Sequence, residues 1–164
     1  MIKKAIKNTA FALMAAGITS VQAHHSFGMY DLTKPTVITG VLVRTNPDAF
    51  HYQMFLAQLD ADRKKVVRDK DGKPVIWVIE LEGAAKVASE GITDKNFPAG
   101  SIVSAGFFPL RNGNPSGARV GLGISKCPEK TPPSAGKHCD SVEGGQQFGN
   151  KLPAGTEEAK VTSN

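Results

Sequence analysis

The chain has 164 residues, of which 40% are hydrophobic and 21% charged, with 17 Gly and 10 Pro. This composition is typical of one compact domain and excludes a disordered, collagen-like or multi-span membrane chain. Lys3, Lys4 and Lys7 lie in a segment that we expect to be removed. Without them the 20 basic residues fall to 17 against 15 acidic ones, a net charge of +2. That balance gives no electrostatic reason to expect nucleic acid or an anionic membrane as partner.

The first 23 residues have the three parts of a secretory signal peptide. The three lysines form its basic start, an apolar run spans Ala10 to Ile18, and Val21-Gln22-Ala23 supplies small residues before a cleavage site. We therefore predict cleavage after Ala23, export to the periplasm and a mature chain that begins at His24. A membrane anchor is the alternative, but a run of about nine residues is far shorter than the roughly 20 that a spanning helix needs.

Three stretches of alternating side chains predict three successive strands. They span Pro35 to Arg44, Phe50 to Leu59 and Val75 to Glu82. Asn46-Pro47-Asp48 is predicted to turn the chain between the first two strands, and Asp71-Gly72 to turn it before the third.

A change of period predicts one short helix over Gly83 to Glu90, which contains good helix formers and is followed by Gly91 as a stop. Two further strands are predicted over Ser101 to Leu110 and Arg119 to Lys126. Three strands, a helix and two strands is the order of an OB-fold, a small five-stranded Greek-key barrel with its helix between strands three and four. We therefore predict a mainly β fold with an OB-like barrel over residues 24–126, and a small sandwich is the alternative.

The last part of the chain, residues 127–164, is rich in Pro and Gly, and Gly144 to Asn164 is predicted to be a disordered tail. Cys127 and Cys139 are the only two cysteines, and we expect them to pair as a disulfide in an oxidising compartment. Closing so short a loop stabilises a fold by up to about 3 kcal/mol. A metal site that uses both cysteines and His138 is the alternative, although it has no clear fourth ligand.

The predicted barrel carries a set of short motifs, which are His24-His25-Ser26-Phe27, Tyr30-Asp31, Thr39-Gly40, Asn46-Pro47, Trp77 with Glu80, Pro98 with Gly100, and Pro109-Leu110-Arg111-Asn112-Gly113. Together they resemble a family of small exported bacterial proteins catalogued as domain of unknown function 6152. The resemblance covers about His24 to Lys126 and implies export without implying an activity. It departs at the first turn, where the family reads Asn-Pro-His, because this chain has Asp48 there and its next histidine is His51.

The predicted mature N-terminus is the strongest candidate site. After cleavage His24 carries a free α-amine, and the amine and imidazole of one histidine can chelate a single Cu(II) or Ni(II). With His25 and His51, three imidazoles and an amine form the nitrogen-rich set that Cu(II) prefers. Supporting residues are Met29 and Met54, as soft ligands for Cu(I), and Asp31, which would orient an imidazole. The alternative is a mobile N-terminus that happens to begin with histidines.

Other candidates are weaker. Glu80 and Glu82 form a carboxylate pair on the third predicted strand, but a solvated strand face is the commoner reason for such spacing. Trp77 would stack a sugar or base, yet its apolar neighbours favour a place in the core. The hairpin from Arg63 to Lys73 mixes both charges, which is typical of a solvated loop. The sequence contains none of the common motifs of phosphate-binding loops, zinc proteases or serine hydrolases.

The sequence therefore predicts a non-enzymatic periplasmic binding protein that takes copper or another divalent metal at His24 and His25, with His51 in support. The alternative is an envelope interaction module that binds a peptide, glycan or protein through the barrel face and the hairpin from Asp60 to Pro74. A copper oxidase with an N-terminal histidine brace is the least favoured hypothesis, because the chain offers no evident platform for a substrate.

Overall fold

A computed structural model describes residues 27–47, 49–129, 131–156 and 158–160. The predicted signal peptide, its cleavage site, His24 and His25 lie outside the described residues, as does Asp48 of the first predicted turn. The described elements are the strands β1 Thr36–Asn46, β2 Gln53–Gln58 and β3 Ile76–Glu80, the helix α1 Ala84–Ser89, and the strands β4 Ile102–Pro109, β5 Ser116–Ala118, β6 Ile124–Lys126 and β7 Gln146–Phe148.

Five strands close into a barrel in the order β1, β2, β3, β5, β4 and back to β1. Neighbours run antiparallel except for β3 and β5, which are parallel. The long strand β1 closes the barrel because its first half pairs with β4 and its second half with β2. At Gly40, where the halves overlap, an added Cβ would lie 2.6 Å from the Ala57 carbonyl oxygen. The mainly β class, the five-stranded barrel and the single short helix between β3 and β4 confirm the predicted fold class.

The barrel interior and the underside of α1 form one apolar core. Its members are fully or almost fully buried and come from four of the five barrel strands and from the segment that includes α1, among them Ile38, Leu42, Met54, Leu56, Trp77, Ile79, Val87, Ile92, Phe97, Val103 and Phe107. The Trp77 ring lies 5.1 Å from the Phe107 ring, and its Nε1–H donates to Gln58 Oε1 at 3.0 Å. Trp77 is therefore a core residue, as its apolar neighbours predict, and no surface for stacking a sugar or base.

The fifth barrel strand lies earlier than predicted. The sequence predicts it over Arg119 to Lys126, whereas Ser116–Ala118 closes the barrel as β5 and Ile124–Lys126 pairs with β4 as the separate strand β6. A turn at Val120 (φ 42°) and Gly121 (φ 75°) separates them. The centre of β5 must be glycine, because a Cβ on Gly117 would lie 2.2 Å from the Phe107 ring. A three-residue strand with glycine at its centre has no alternation of side chains, so the sequence pattern does not predict it.

The described part of the C-terminal segment packs on the barrel, which differs from the disordered tail that its composition predicts. Strand β7 pairs with β6, and Leu152 and Ala159 are buried. The Ala159 amide donates to the Val37 carbonyl at 2.9 Å, and the Gln58 side chain donates to the Ala159 carbonyl at 2.6 Å. The backbone of this segment packs directly against Gly123, where an added Cβ would lie 2.1 Å from the Asn150 carbonyl oxygen. A few apolar side chains are therefore enough to hold the segment on the barrel.

The two cysteines lie side by side beneath this segment. The Sγ atoms of Cys127 and Cys139 are 2.13 Å apart and their Cα atoms 4.7 Å apart, so the pair is capable of forming the predicted disulfide. His138 lies beside them with its Nδ1 2.8 Å from Thr39 Oγ1. Burial, followed by the charge of Arg63, lowers the pKa of His138. Its ring is engaged in a hydrogen-bond network that also includes Ser104.

Candidate functional site

A pocket of about 260 Å³ opens at the end of the barrel where β3 and β5 finish. Four polar side chains line it: Tyr30, His51, Glu80 and Glu82. Apolar side chains from the N-terminal turn and from the turn after β5 form its rim, namely Phe27, Met29 and Val120. The pocket thus collects residues from four separated parts of the chain around two carboxylates and one imidazole.

Of the three histidines predicted to hold copper, His51 is the one that lies among the described residues. Its Nδ1 lies 3.1 Å from the Leu81 carbonyl oxygen, and because a carbonyl only accepts, Nδ1–H is the donor. In the neutral ring this hydrogen bond places the lone pair on Nε2. The same Nδ1 lies 3.8 Å from Glu80 Oε1. The loop before β2 therefore holds the imidazole in one tautomer beside a carboxylate.

Tyr30 and Glu80 form the inner wall of the pocket. Burial is the main reason why the pKa of Tyr30 is raised, and the charge of Glu80 and a hydrogen bond to it raise it further. The Tyr30 hydroxyl therefore keeps its proton at neutral pH and donates to the carboxylate. Within the described chain, His51 is the one group that pairs with Glu80 as an ion-pair partner.

Arg119 supports the floor of the pocket from inside the protein. Its side chain is 1% exposed, with Nη1 3.5 Å from Glu82 Oε2 and Nη2 2.5 Å from Glu90 Oε2. Lys86 Nζ reaches the other oxygen of Glu90 at 2.9 Å. Burial acts to raise the pKa of Glu90, but hydrogen bonds from Lys86 and Arg119 outweigh it and leave that pKa lowered. The amide of Gly121 donates to Glu82 Oε1 at 2.8 Å.

Some of the other predicted site residues lie at this pocket and others lie elsewhere in the structure. Met29 lies on the pocket rim, whereas Met54 is buried in the core and does not line the pocket. Among the described residues, Asp31 contacts Thr33, Lys34 and Arg111. Glu80 and Glu82 line a pocket instead of a solvated face. Within the described ranges, no three His, Cys, Asp or Glu side chains are grouped so that they could hold a metal ion.

Three residues at or beside the pocket have no predicted functional role from the sequence: Tyr30, Arg119 and Val120. Tyr30 is brought in by an isolated bridge to Leu110, and Arg119 and Val120 belong to the turn that was predicted as strand. The position of His51 beside Glu80 follows from the pairing of β2 with β3, which sets Gln53 opposite Glu80. The sequence carries no clear signal for that register, because the connection between the two strands, residues 59–75, is too long for a single turn to set it.

The fold and the pocket define a small closed β-barrel protein with an acidic, apolar-rimmed pocket at one end. A family model matches residues 12–119, and the chain belongs to that family, a family of unknown function (DUF6152). This match confirms the family that the sequence motifs indicate. No curated protein and no solved structure matches the chain. In the part of the chain that the structure describes, no helix has both the length and the apolar character needed to cross a bilayer.

Proposed function

We propose that the exported protein binds a divalent transition metal, copper first among them, at the mouth of this pocket through His24, His25 and His51. The observation that carries the proposal is the position of Phe27 and Met29 on the rim of the pocket that holds His51. Consecutive Cα atoms are about 3.8 Å apart, so the Cα of His25 lies within about 8 Å of the Cα of Phe27. Chain connectivity therefore allows the N-terminal histidines to reach the pocket that holds His51.

The surroundings of His51 favour a metal ligand. Metal-binding histidines commonly donate their second ring N–H to a carbonyl or carboxylate, which fixes the tautomer and the ring orientation. The Nδ1 bond to Leu81 O provides this arrangement. Glu80 adds a negative charge 3.8 Å from the ring, which favours a cation at this end of the barrel. Met29 on the rim supplies a thioether that suits Cu(I).

The proposal depends on export and on processing. We propose that cleavage after Ala23 in the periplasm exposes the α-amine of His24, and that Cys127 and Cys139 close as a disulfide in the same compartment. The amine has an ordinary pKa near 8, so a tightly bound ion displaces its proton at neutral pH. Mass spectrometry of protein purified from the periplasm would show both events, as a chain that begins at His24 and lacks two hydrogens.

The test is a calorimetric titration with Cu(II) and Zn(II). One sample begins at His24, and its partner carries an N-terminal Ser-Gly-Ser-Gly extension, which moves both histidines away from the free amine. We expect one-to-one Cu(II) binding that weakens by about tenfold or more with the extension, and by a similar factor in His51→Gln. Equal binding by the two samples would refute the amine-dependent site. Unchanged Cu(II) binding in His51→Gln would show that His51 and its pocket are not part of the metal site.

A further inference from the structure

The apolar rim of the pocket indicates a ligand with an apolar part, which a bare metal ion lacks. Six large hydrophobic side chains are exposed among the described residues, and three of them line this pocket. They are Phe27 (50% exposed), Met29 (56%) and Val120 (40%). The ring of a fourth, Phe50 (81%), lies 5.2 Å from the ring of His51, which lines the pocket. Exposed apolar groups that collect around one concave site mark binding surfaces, whereas scattered ones need no explanation.

We propose that the pocket binds a small organic ammonium ion that carries an apolar group. The ammonium would lie against Glu80, and the apolar group would lie against Phe27, Met29 and Val120. This site is distinct in chemistry from the proposed metal site and does not depend on it, although both ligands would meet Glu80 and His51.

The charge of the pocket selects a cation. Glu82 and Glu90 share the guanidinium of Arg119, and Glu90 also has the ammonium of Lys86. These two carboxylates are therefore balanced by two cations. Glu80 differs, because its ion-pair partner in the described chain is neither a lysine nor an arginine but His51, whose Nδ1 lies 3.8 Å away. That ring N–H already donates to the Leu81 carbonyl, so no lysine or arginine balances the Glu80 carboxylate in the pocket.

The hydrogen bonds that Glu80 already accepts determine which groups a ligand needs in order to bind it. Tyr30 donates one hydrogen bond to Glu80, and a carboxylate has about four lone-pair sites. An ammonium has three N–H donors and no acceptor, so it complements a carboxylate that still has capacity. An anion would meet two carboxylates here, and a neutral hydroxyl would forgo the charge–charge attraction.

The size of the pocket limits the ligand. Its volume of about 260 Å³ lies just below the range of roughly 300–1,000 Å³ of clefts that bury drug-sized molecules. A single aromatic or branched aliphatic group with a short arm to the nitrogen fits that space. The turn after β5 places Val120 at the rim in the left-handed region (φ 42°), a conformation that a β-branched residue rarely adopts.

The experiment titrates the exported protein, freed of metal by a chelator, with 2-phenylethylamine, and follows amide chemical shifts by NMR. The matched ligand is 2-phenylethanol, which has a similar size and no charge. The matched variants are Glu80→Gln in the pocket and Glu143→Gln at an exposed turn elsewhere. Gln keeps an oxygen that accepts from Tyr30, so Glu80→Gln removes the charge while retaining the shape.

We expect saturable shifts at the amides of Gly83 and Val120 with the amine. Binding should weaken by about tenfold or more when the alcohol replaces the amine, or in Glu80→Gln, because a charged hydrogen bond is lost. Glu143→Gln should bind the amine as the unchanged protein does. Val120→Asn, which removes rim contacts and leaves Glu80 in place, should weaken both ligands alike.

The proposal is overturned if the alcohol binds as tightly as the amine, or if Glu80→Gln and Glu143→Gln behave alike. It is also overturned if the amine gives no saturation by about 10 mM, the limit of weak specific binding. Because the protein is metal-free, none of these outcomes bears on the copper titration, and failure of that titration leaves the ammonium site standing.

Discussion

Replacing Arg119 with Met should destabilise the protein severely. The guanidinium is buried between Glu90 and Glu82, and Met would leave both carboxylates without that charge. Removing one partner of a buried ion pair typically costs about 3–5 kcal/mol, a large share of the 5–15 kcal/mol that a domain has in total. The matched control is Arg111→Met. The Arg111 side chain is mostly exposed and its Nη1 lies 3.8 Å from Asp31 Oδ1, and exposed ion pairs of this kind contribute about 0–1 kcal/mol.

The assay is equilibrium unfolding in urea, followed by the fluorescence of the single Trp. With a slope of about 1–3 kcal/mol per molar urea, Arg119→Met should lower the midpoint by more than about 1 M, and Arg111→Met should leave it nearly unchanged. The double variant Arg119→Met with Glu90→Gln should recover part of the loss, since one uncompensated charge is removed with it. Equal midpoints for the two arginine variants would refute the reasoning that Arg119 is a buried, charge-balancing residue.

Three further predictions concern stability. Val120→Asn should raise the free energy of unfolding by about 1 kcal/mol, because Asn tolerates the left-handed backbone. The control is Val43→Asn, at a strand position of similar exposure, which should not raise it, and the urea midpoints of the two variants measure the difference. The lowered pKa of Glu90 contributes stability that is present above its ordinary pKa and lost as pH falls through the folded value, so the loss on acidification should shrink in Glu90→Gln. Replacing Cys127 and Cys139 by Ser should cost up to about 3 kcal/mol, and a thermal melt that does not move would contradict the disulfide.

The first four strands could be predicted from the sequence because each is long enough to show alternation. Strand β1 is the clearest case, with Ile38 and Leu42 buried in the barrel. The same alternation shows which side chains of β2 and β3 share a face, but it does not fix the register in which the two strands pair. Strand β5 carried no such signal, because Gly117 and its short neighbours leave nothing to alternate. The steric reason for Gly117 is the Phe107 ring, which only the closed barrel brings to it.

The C-terminal segment escaped prediction for a related reason. Composition counts apolar residues, and this segment has few, but Leu152 and Ala159 each lie where the barrel offers a matching space. Arg63 shows the same effect, since a lysine- and arginine-rich hairpin predicts solvation, yet its guanidinium is buried and bonds Glu158 and the Lys137 carbonyl. Such contacts join residues about 75–95 positions apart, as loop closure in a compact domain permits.

The pocket itself is a consequence of how the barrel closes. Strands β3 and β5 run parallel with Glu80 opposite Ala118, so both strands end at the same side and the chain leaves both at one place. One exit carries Glu82 towards α1, and the other forms the turn with Val120. Because these exits are connections, their side chains can change with less effect on the core than changes in the strands. We therefore expect ligand preference to follow the pocket-lining side chains of these two connections, while the barrel and the buried Arg119 stay the same.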